Sequence, residues 1–370
     1  MISTPLKLTP LTNLQLAKTR FGLTIPHIEA AVLRSEKIHQ KLSDALADAA
    51  HENCGLVVFG SLARREMTSG SDVDWTLLID GPADSRHREN MQLIEAAMKR
   101  LGEDKALPFS SPNATGAFGA MTFSHDLVHA IGGEADSNKN TTKRILLLLE
   151  AVGISRQTPV VDRVVRSILD RYFQQVIHPC GNSDYFPRFL LNDVVRLWRT
   201  MAVDYAAKNS DRNRDAWALR SAKLRFSRKL IFVSGLLLTY ETMLQPVDVD
   251  IDPIETASLV PALIEHVQPI TRLPPLEVLA QAIIRESNLG WAGAAESAKL
   301  IFETYDEFLG MMDDVEKRHE LKNLKFENAA KDPNFDRIRE ISRVFQEGLD
   351  KFLLEGPERV RNLTKAYAIF

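Results

Sequence analysis

Residues 54–80 read CGLVVFGSLARREMTSGSDVDWTLLID, a strand, a tight turn, a polar loop and a second strand. Leu56, Val57, Val58 and Phe59 form the short apolar run that a buried strand needs, and Gly60-Ser61 ends it. After ten intervening residues, Asp72-Val73-Asp74 opens a strand that continues to Ile79. Along an extended chain, residues i and i+2 point to one face, so Asp72 and Asp74 aim two carboxylates at a common point. Mg2+ or Mn2+ takes oxygen ligands of this kind together with substrate phosphates. Gly60 lets backbone approach a phosphate closely, and Ser61 adds a hydroxyl and an N–H. These are the parts of a metal-assisted phosphoryl-transfer site.

The spacing Gly-Ser, ten residues, Asp-x-Asp resembles the nucleotidyltransferase superfamily typified by DNA polymerase beta. The residues between are similar to one branch of it. Gly60-Ser61-Leu62-Ala63-Arg64-Arg65-Glu66 and Ser71-Asp72-Val73-Asp74 look like the branch that holds PII-uridylyltransferase and glutamine-synthetase adenylyltransferase. The resemblance covers about thirty residues. It implies transfer of a nucleoside monophosphate from a nucleoside triphosphate (NTP), with pyrophosphate leaving. The Arg-x-Glu run tilts the expected acceptor towards a protein hydroxyl.

Composition sets the outer limits. The chain has 370 residues, 45% hydrophobic and 26% charged, enough for two or three globular domains. A net charge of −3 argues against non-specific nucleic-acid binding by charge alone. Two cysteines, Cys54 and Cys180, match no zinc or redox spacing, and a cytoplasmic setting is the simplest expectation. No apolar run approaches membrane-spanning length, so no membrane partner is expected.

Residues 26–50 read as a helix with Pro26 near its start, residues 86–102 as another, and Pro108 to Gly119 as loop. MTFSHDLVHAI (residues 121–131) alternates imperfectly, like a strand. From Asn140 onwards helical periodicity dominates. The expected fold is α+β: an N-terminal helical segment (1–45), a small mixed-sheet nucleotidyltransferase core (46–150) and an all-helical domain (151–370).

Two-metal phosphoryl transfer calls for a further carboxylate. By the resemblance it lies on a later strand beside the Asp pair. Asp126 is the candidate, with Glu134 and Asp136 as alternatives, although Val128 stands where the family run has Arg. His125-Asp126 is a chance dipeptide, since the other histidines supply no phosphohydrolase set. His129, at an odd spacing from Asp126, reads as a packed side chain on the opposite strand face.

Residues 208–229 concentrate eight Lys/Arg against two Asp. In many relatives a helix after the core supplies cations to the triphosphate, and Arg220 and Lys223 are the candidates for that task here. A solvated basic face is the plain alternative, and RNA binding a further one, with Trp217 and Phe226 nearby. Helical spacing places both aromatics in the core instead. Arg64 could touch phosphate or pair with Glu66 to hold the loop. The expected partners are therefore a nucleoside triphosphate and a protein acceptor, with RNA as an additional candidate. The competing expectation is a non-catalytic nucleotide-binding regulator, or an antitoxin or defence protein, acting through a partner.

Overall fold

The computed structural model describes residues 10–46, 53–103, 121–154, 158–176, 186–211, 215–245 and 256–368. The loop expected at Pro108 to Gly119, and Cys180, lie outside these residues. The first half runs α1 (Thr12–Phe21), α2 (Pro26–Ala45), β1 (Cys54–Phe59), α3 (Gly60–Ala63), β2 (Asp74–Ile79), α4 (Arg86–Glu103), β3 (Met121–Phe123), α5 (Ser124–Val128), α6 (Asn138–Leu149) and β4 (Val152–Gly153). Helices follow: α7 (Thr158–Gln174), α8 (Arg188–Asp211), α9 (Trp217–Arg225), α10 (Ser227–Leu244), α11 (Thr256–Val267), α12 (Pro275–Asn288), α13 (Ala294–Asp313), α14 (Val315–Asn323), α15 (Pro333–Asp350) and α16 (Glu358–Leu363). A small mixed sheet followed by a helical region is the α+β architecture expected.

The sheet order is β3-β2-β1-β4. β1 is antiparallel to β2, with Phe59 opposite Asp74, and to β4, with Val58 opposite Val152. β2 and β3 are parallel, with Leu77 opposite Met121 and Ile79 opposite Phe123. Every residue of β1 is buried, as its unbroken apolar run requires. The two faces serve different cores. Leu56, Val58, Trp75, Leu77 and Ile79 pack with Ile38 and Leu42 of α2 and with Met91, Ile94 and Met98 of α4. Val57, Phe59 and Leu78 join the larger core built by the later helices. Trp75 and Leu77 are thus core residues, as their alternation implies.

By pleat parity Asp74 and Thr76 share the face of Leu78, which the helical half covers. That parity turns the Asp-x-Asp spacing into geometry: it points Asp74 at side chains more than a hundred residues downstream. The larger core also runs through residue 150, joining α6 to α7, α8 and α10, and β4 lies just beyond that residue. The N-terminal helices pack on the far end of the chain. Glu277 of α12 accepts from Asn13 N (3.0 Å) and Leu14 N (2.8 Å), and Asp306 of α13 accepts from Ile28 N (2.8 Å). Each carboxylate satisfies helix N–H groups that have no partner within their own helix.

Residues 121–131 do not form one strand. β3 stops at Phe123, and α5 carries Asp126. Leu127, Val128 and Ile131 reach the core together, a helical spacing that outweighs the weak alternation. His129 accordingly lies one helical turn from His125, with ring centroids 4.7 Å apart, rather than across a strand. Trp217 and Phe226 are buried, and the Trp217 indole N–H donates to Leu324 O at 2.6 Å, so neither offers a base-stacking surface. Among the described residues, no helix is long and apolar enough to cross a membrane. Cys54 is free and buried, its sulfur 3.1 Å from Asn90 Nδ2.

Candidate functional site

Gly60 takes φ +68°, a conformation glycine adopts freely. A Cβ there would stand 2.7 Å from Asp74 Oδ2, so a side chain at Gly60 and the observed carboxylate position exclude each other. The chain returns at once through Arg64 N to Gly60 O (3.0 Å) and Glu66 N to Ser61 O (2.8 Å). α2 fixes this turn from behind. His39 Nε2 meets Leu62 O at 3.1 Å, Ser35 Oγ accepts from Met67 N at 3.2 Å, and an Arg34 NH group donates to Met67 O at 3.0 Å. Burial lowers the His39 pKa to about 4, so the imidazole is neutral there.

Asp72 and Asp74 are exposed, and among the described residues neither makes a hydrogen bond or ion pair. Partial desolvation, then the neighbouring charges of Asp72 and Glu150, raise the Asp74 pKa to about 6. Two adjacent carboxylates with no partner form a site short of positive charge. Hard, oxygen-only and open on one side, this donor pair suits a divalent cation that also holds substrate phosphates.

Two cations answer from the helical half. Lys223 of α9 and Arg318 of α14 both feel the Asp72 carboxylate. Lys223 still reaches solvent, but the surrounding protein desolvates it and Arg318 repels it, which lowers its pKa. Arg318 donates to Thr68 Oγ1 at 3.4 Å and to Gly70 O. Asp313 at the end of α13 accepts from Ser69 N at 2.6 Å and pairs with Arg34 at 2.7 Å. The loop that leads into the Asp pair is thus tied from α2, α13 and α14.

Arg64 is half-buried and spends Nε on Glu66 (2.8 Å) and a terminal NH on Glu150. The expectation that it contacts phosphate gives way to the structural alternative, because two buried carboxylates require it. Burial drives the Glu150 pKa up, and Arg64 pulls it back. Glu150 was not singled out in the sequence, where it only ends the run ILLLLE. Its place follows from the β1–β4 register, which brings it level with Gly60. The next residue, Arg65, takes φ +57° while buried, a strained conformation beside the site.

Asp126 stands elsewhere. Asp74 begins β2, whereas β3 leaves the sheet beside Ile79, about 17 Å along the strand at 3.3 Å per residue. Asp126 faces the buried Lys143, whose ammonium donates to Thr122 Oγ1 at 3.1 Å and whose pKa burial lowers to about 8. The sequence holds no Asp or Glu between Asp104 and Asp126, so no strand position opposite Asp74 could be a carboxylate. The alternative Asp136 is consumed in a buried network in which Arg144 pairs with Asp136 (2.8 Å) and Asp193 (2.7 Å). Among the described residues, no group of three or more His, Cys, Asp or Glu side chains could hold a metal ion.

The basic block divides by use. Arg225 donates to Ser342 Oγ, and Lys229 donates to Gln346 Oε1, both on α15, while Lys208 pairs with Asp204 on its own helix. Lys223 turns to the carboxylates, with Arg228 and Arg220 beside it in the local field. Arg318 carried no sequence signal, since its helix reads as an ordinary polar surface segment.

The family model described as "Putative nucleotidyltransferase DUF294" matches residues 24–104. That stretch covers α2, the Gly60-Ser61 turn, the Asp pair and α4, so this part of the chain is similar to a nucleotidyltransferase-type family. No curated protein matches the chain.

Proposed function

We propose that the protein is a metal-dependent nucleotidyltransferase that moves a nucleoside monophosphate from an NTP to an acceptor hydroxyl on a protein, releasing pyrophosphate. One observation carries the reading. Among the described residues the Asp72 and Asp74 carboxylates have no hydrogen-bond or ion-pair partner, Asp74 lies close against Gly60, and the charges of Lys223 and Arg318 act on Asp72. Mg2+ or Mn2+ held by Asp72 and Asp74 would neutralise and orient the triphosphate. Lys223 and Arg318 would supply the cationic partners that the charge accumulating on pyrophosphate needs. Ser61, half-exposed at the turn, offers its hydroxyl and N–H to the phosphate oxygens. Arg64, Glu66 and Glu150 hold the turn that presents Gly60 and Ser61. The protein acceptor rests on the resemblance of the Arg-x-Glu run alone.

A second reading, a nucleotide-binding regulator without turnover, is favoured by the lack, among the described residues, of a group of three His, Cys, Asp or Glu side chains that could hold a metal ion. Incubation with each α-32P-labelled NTP and Mg2+ or Mn2+, with and without cell lysate, separates the two. Label moved to an acceptor, and lost in Asp72→Asn/Asp74→Asn, supports the transferase. Saturable NTP binding without any transfer supports the regulator. Label on RNA instead of protein would replace the acceptor.

A further inference from the structure

α14 touches both of the segments that bring charge to the candidate site. Arg318, in its middle, donates to Thr68 Oγ1 at 3.4 Å and to Gly70 O. The turn it grips is closed on itself: Ser71 N donates to Thr68 O at 3.0 Å, and Thr68 N donates to Ser71 Oγ at 3.0 Å. Thr68 to Ser71 therefore shifts as a unit, and Asp72 is the next residue. Just past the C-terminal end of α14, Leu324 O accepts from the Trp217 indole N–H at 2.6 Å. Phe326 packs edge-on against the same ring, with centroids 5.2 Å apart. Trp217 opens α9, the helix that carries Lys223.

The rest of α14 is weakly anchored. Of its nine residues only Leu321 is buried. Glu320 accepts from Asn334 Nδ2 at 2.5 Å, but at the exposed surface. The Asp314 cap is local, accepting from Glu316 N (3.0 Å) and Lys317 N (3.1 Å). A helix of this length is marginal without tertiary packing, and segments with few buried contacts open first. Seating it also has an electrostatic cost. The charges of Arg318 and Lys223 both act on Asp72, and Arg318 repels Lys223. A polyanion bound beside Asp72 would replace that repulsion by attraction to a shared partner.

We infer that α14 is a strap that closes the candidate site: Arg318 seats the turn before Asp72, Leu324 steadies the start of the Lys223 helix, and a metal-bound nucleoside triphosphate at Asp72 and Asp74 secures the strap in return. The coupling is reciprocal, because a ligand that favours the seated strap binds more weakly when the strap is loosened. The inference rests on the reading of Asp72 and Asp74 as a metal–nucleotide site, but not on turnover. Gly70 gives a handle on the strap. A Cβ there would stand 2.5 Å from Arg318 Nε, so the flexible guanidinium must give way. Gly70 is exposed and outside the left-handed region, so alanine meets no backbone strain and changes no charge. Trp217→Phe removes the other tie and keeps an aromatic ring in place.

The test uses the full chain, hydrogen–deuterium exchange read by mass spectrometry, and Mn2+ with each of the four α,β-methylene NTPs, whose bridging carbon blocks transfer. The Mn2+–analogue complex should slow exchange both in residues 68–71 and in α14. Gly70→Ala and Trp217→Phe should each speed exchange of α14 in the free protein and weaken analogue binding about tenfold or more. Far-UV circular dichroism verifies that both variants fold. No analogue binding, or binding that survives Asp72→Asn/Asp74→Asn, overturns the site reading and this inference with it. Binding that needs the aspartates yet stays within about twofold in Gly70→Ala and Trp217→Phe, or that leaves exchange of α14 unchanged, overturns the strap alone.

Discussion

Replacing Gly60 by alanine should damage the protein through two separable effects. The first is backbone strain. Holding a non-glycine residue at φ +68° costs about 1–2 kcal/mol. Gly22 provides the control, since it takes φ +64° with nothing within 4 Å of an added Cβ, and Gly22→Ala meets the strain alone. The second effect is the collision 2.7 Å from Asp74 Oδ2. Overpacking of this kind adds about 1–3 kcal/mol, or is relieved by moving the carboxylate. Gly60→Ala should thus be less stable than Gly22→Ala by about 1–3 kcal/mol in urea unfolding, or else as stable but weaker in Mn2+ binding. Asp74→Ala removes the colliding oxygen. A double-mutant cycle between Gly60→Ala and Asp74→Ala should then recover about 1 kcal/mol or more of the loss. Equal effects at Gly22 and Gly60, together with no coupling to Asp74 and unchanged Mn2+ affinity, would refute the claim that Gly60 exists to clear the carboxylate.

Arg64→Ala would leave Glu66 and Glu150 buried without their cation, and a loss of about 3–5 kcal/mol is expected in chemical unfolding, with Arg64→Lys only partly restoring it. Lys223→Ala should weaken NTP binding by about 1.5–3 kcal/mol, roughly ten- to hundredfold in Kd, with a smaller salt dependence than the parent in a fluorescence titration. The folded-state pKa of Asp74 is raised to about 6, so its protonated form favours the folded state. That contribution is present at low pH and is lost as pH rises from about 4 to 6. In metal-free buffer Asp74→Asn should therefore raise the melting temperature at pH 7 and leave it nearly unchanged below pH 4. In the parent protein, Mn2+ affinity should fall as pH drops through 6, which Mn2+ EPR reads directly.

The parts of the site legible in the sequence are those set by local periodicity. A two-residue spacing places Asp72 and Asp74 on one side of an extended segment, and a glycine after an apolar run marks a turn. Lys223 stood out because charge density is a local property. Asp126 misled because its segment carries both a weak alternation and a helical triplet, Leu127, Val128 and Ile131, and burial of that triplet won. Glu150 and Arg318 were hidden for another reason. Each owes its place to a pairing across the chain, the β1–β4 register in one case and the seating of α14 on the Thr68–Gly70 loop in the other. Arg64 could be divided between two roles but not assigned, since its decisive partner lies 86 positions away.

The ties on the Thr68–Gly70 loop also set a timetable for synthesis. Ser69 waits for Asp313, 244 positions later, and Thr68 for Arg318, 250 positions later. At about 5–20 residues per second, a ribosome needs roughly 12–50 s to cover that distance. During the interval the Gly60 turn and the Asp pair have already emerged, while the clasp that seats them is still unmade. A nascent or prematurely terminated chain would display the whole sequence motif without a finished site, and competence would arrive only when the last third of the polypeptide closes over the first.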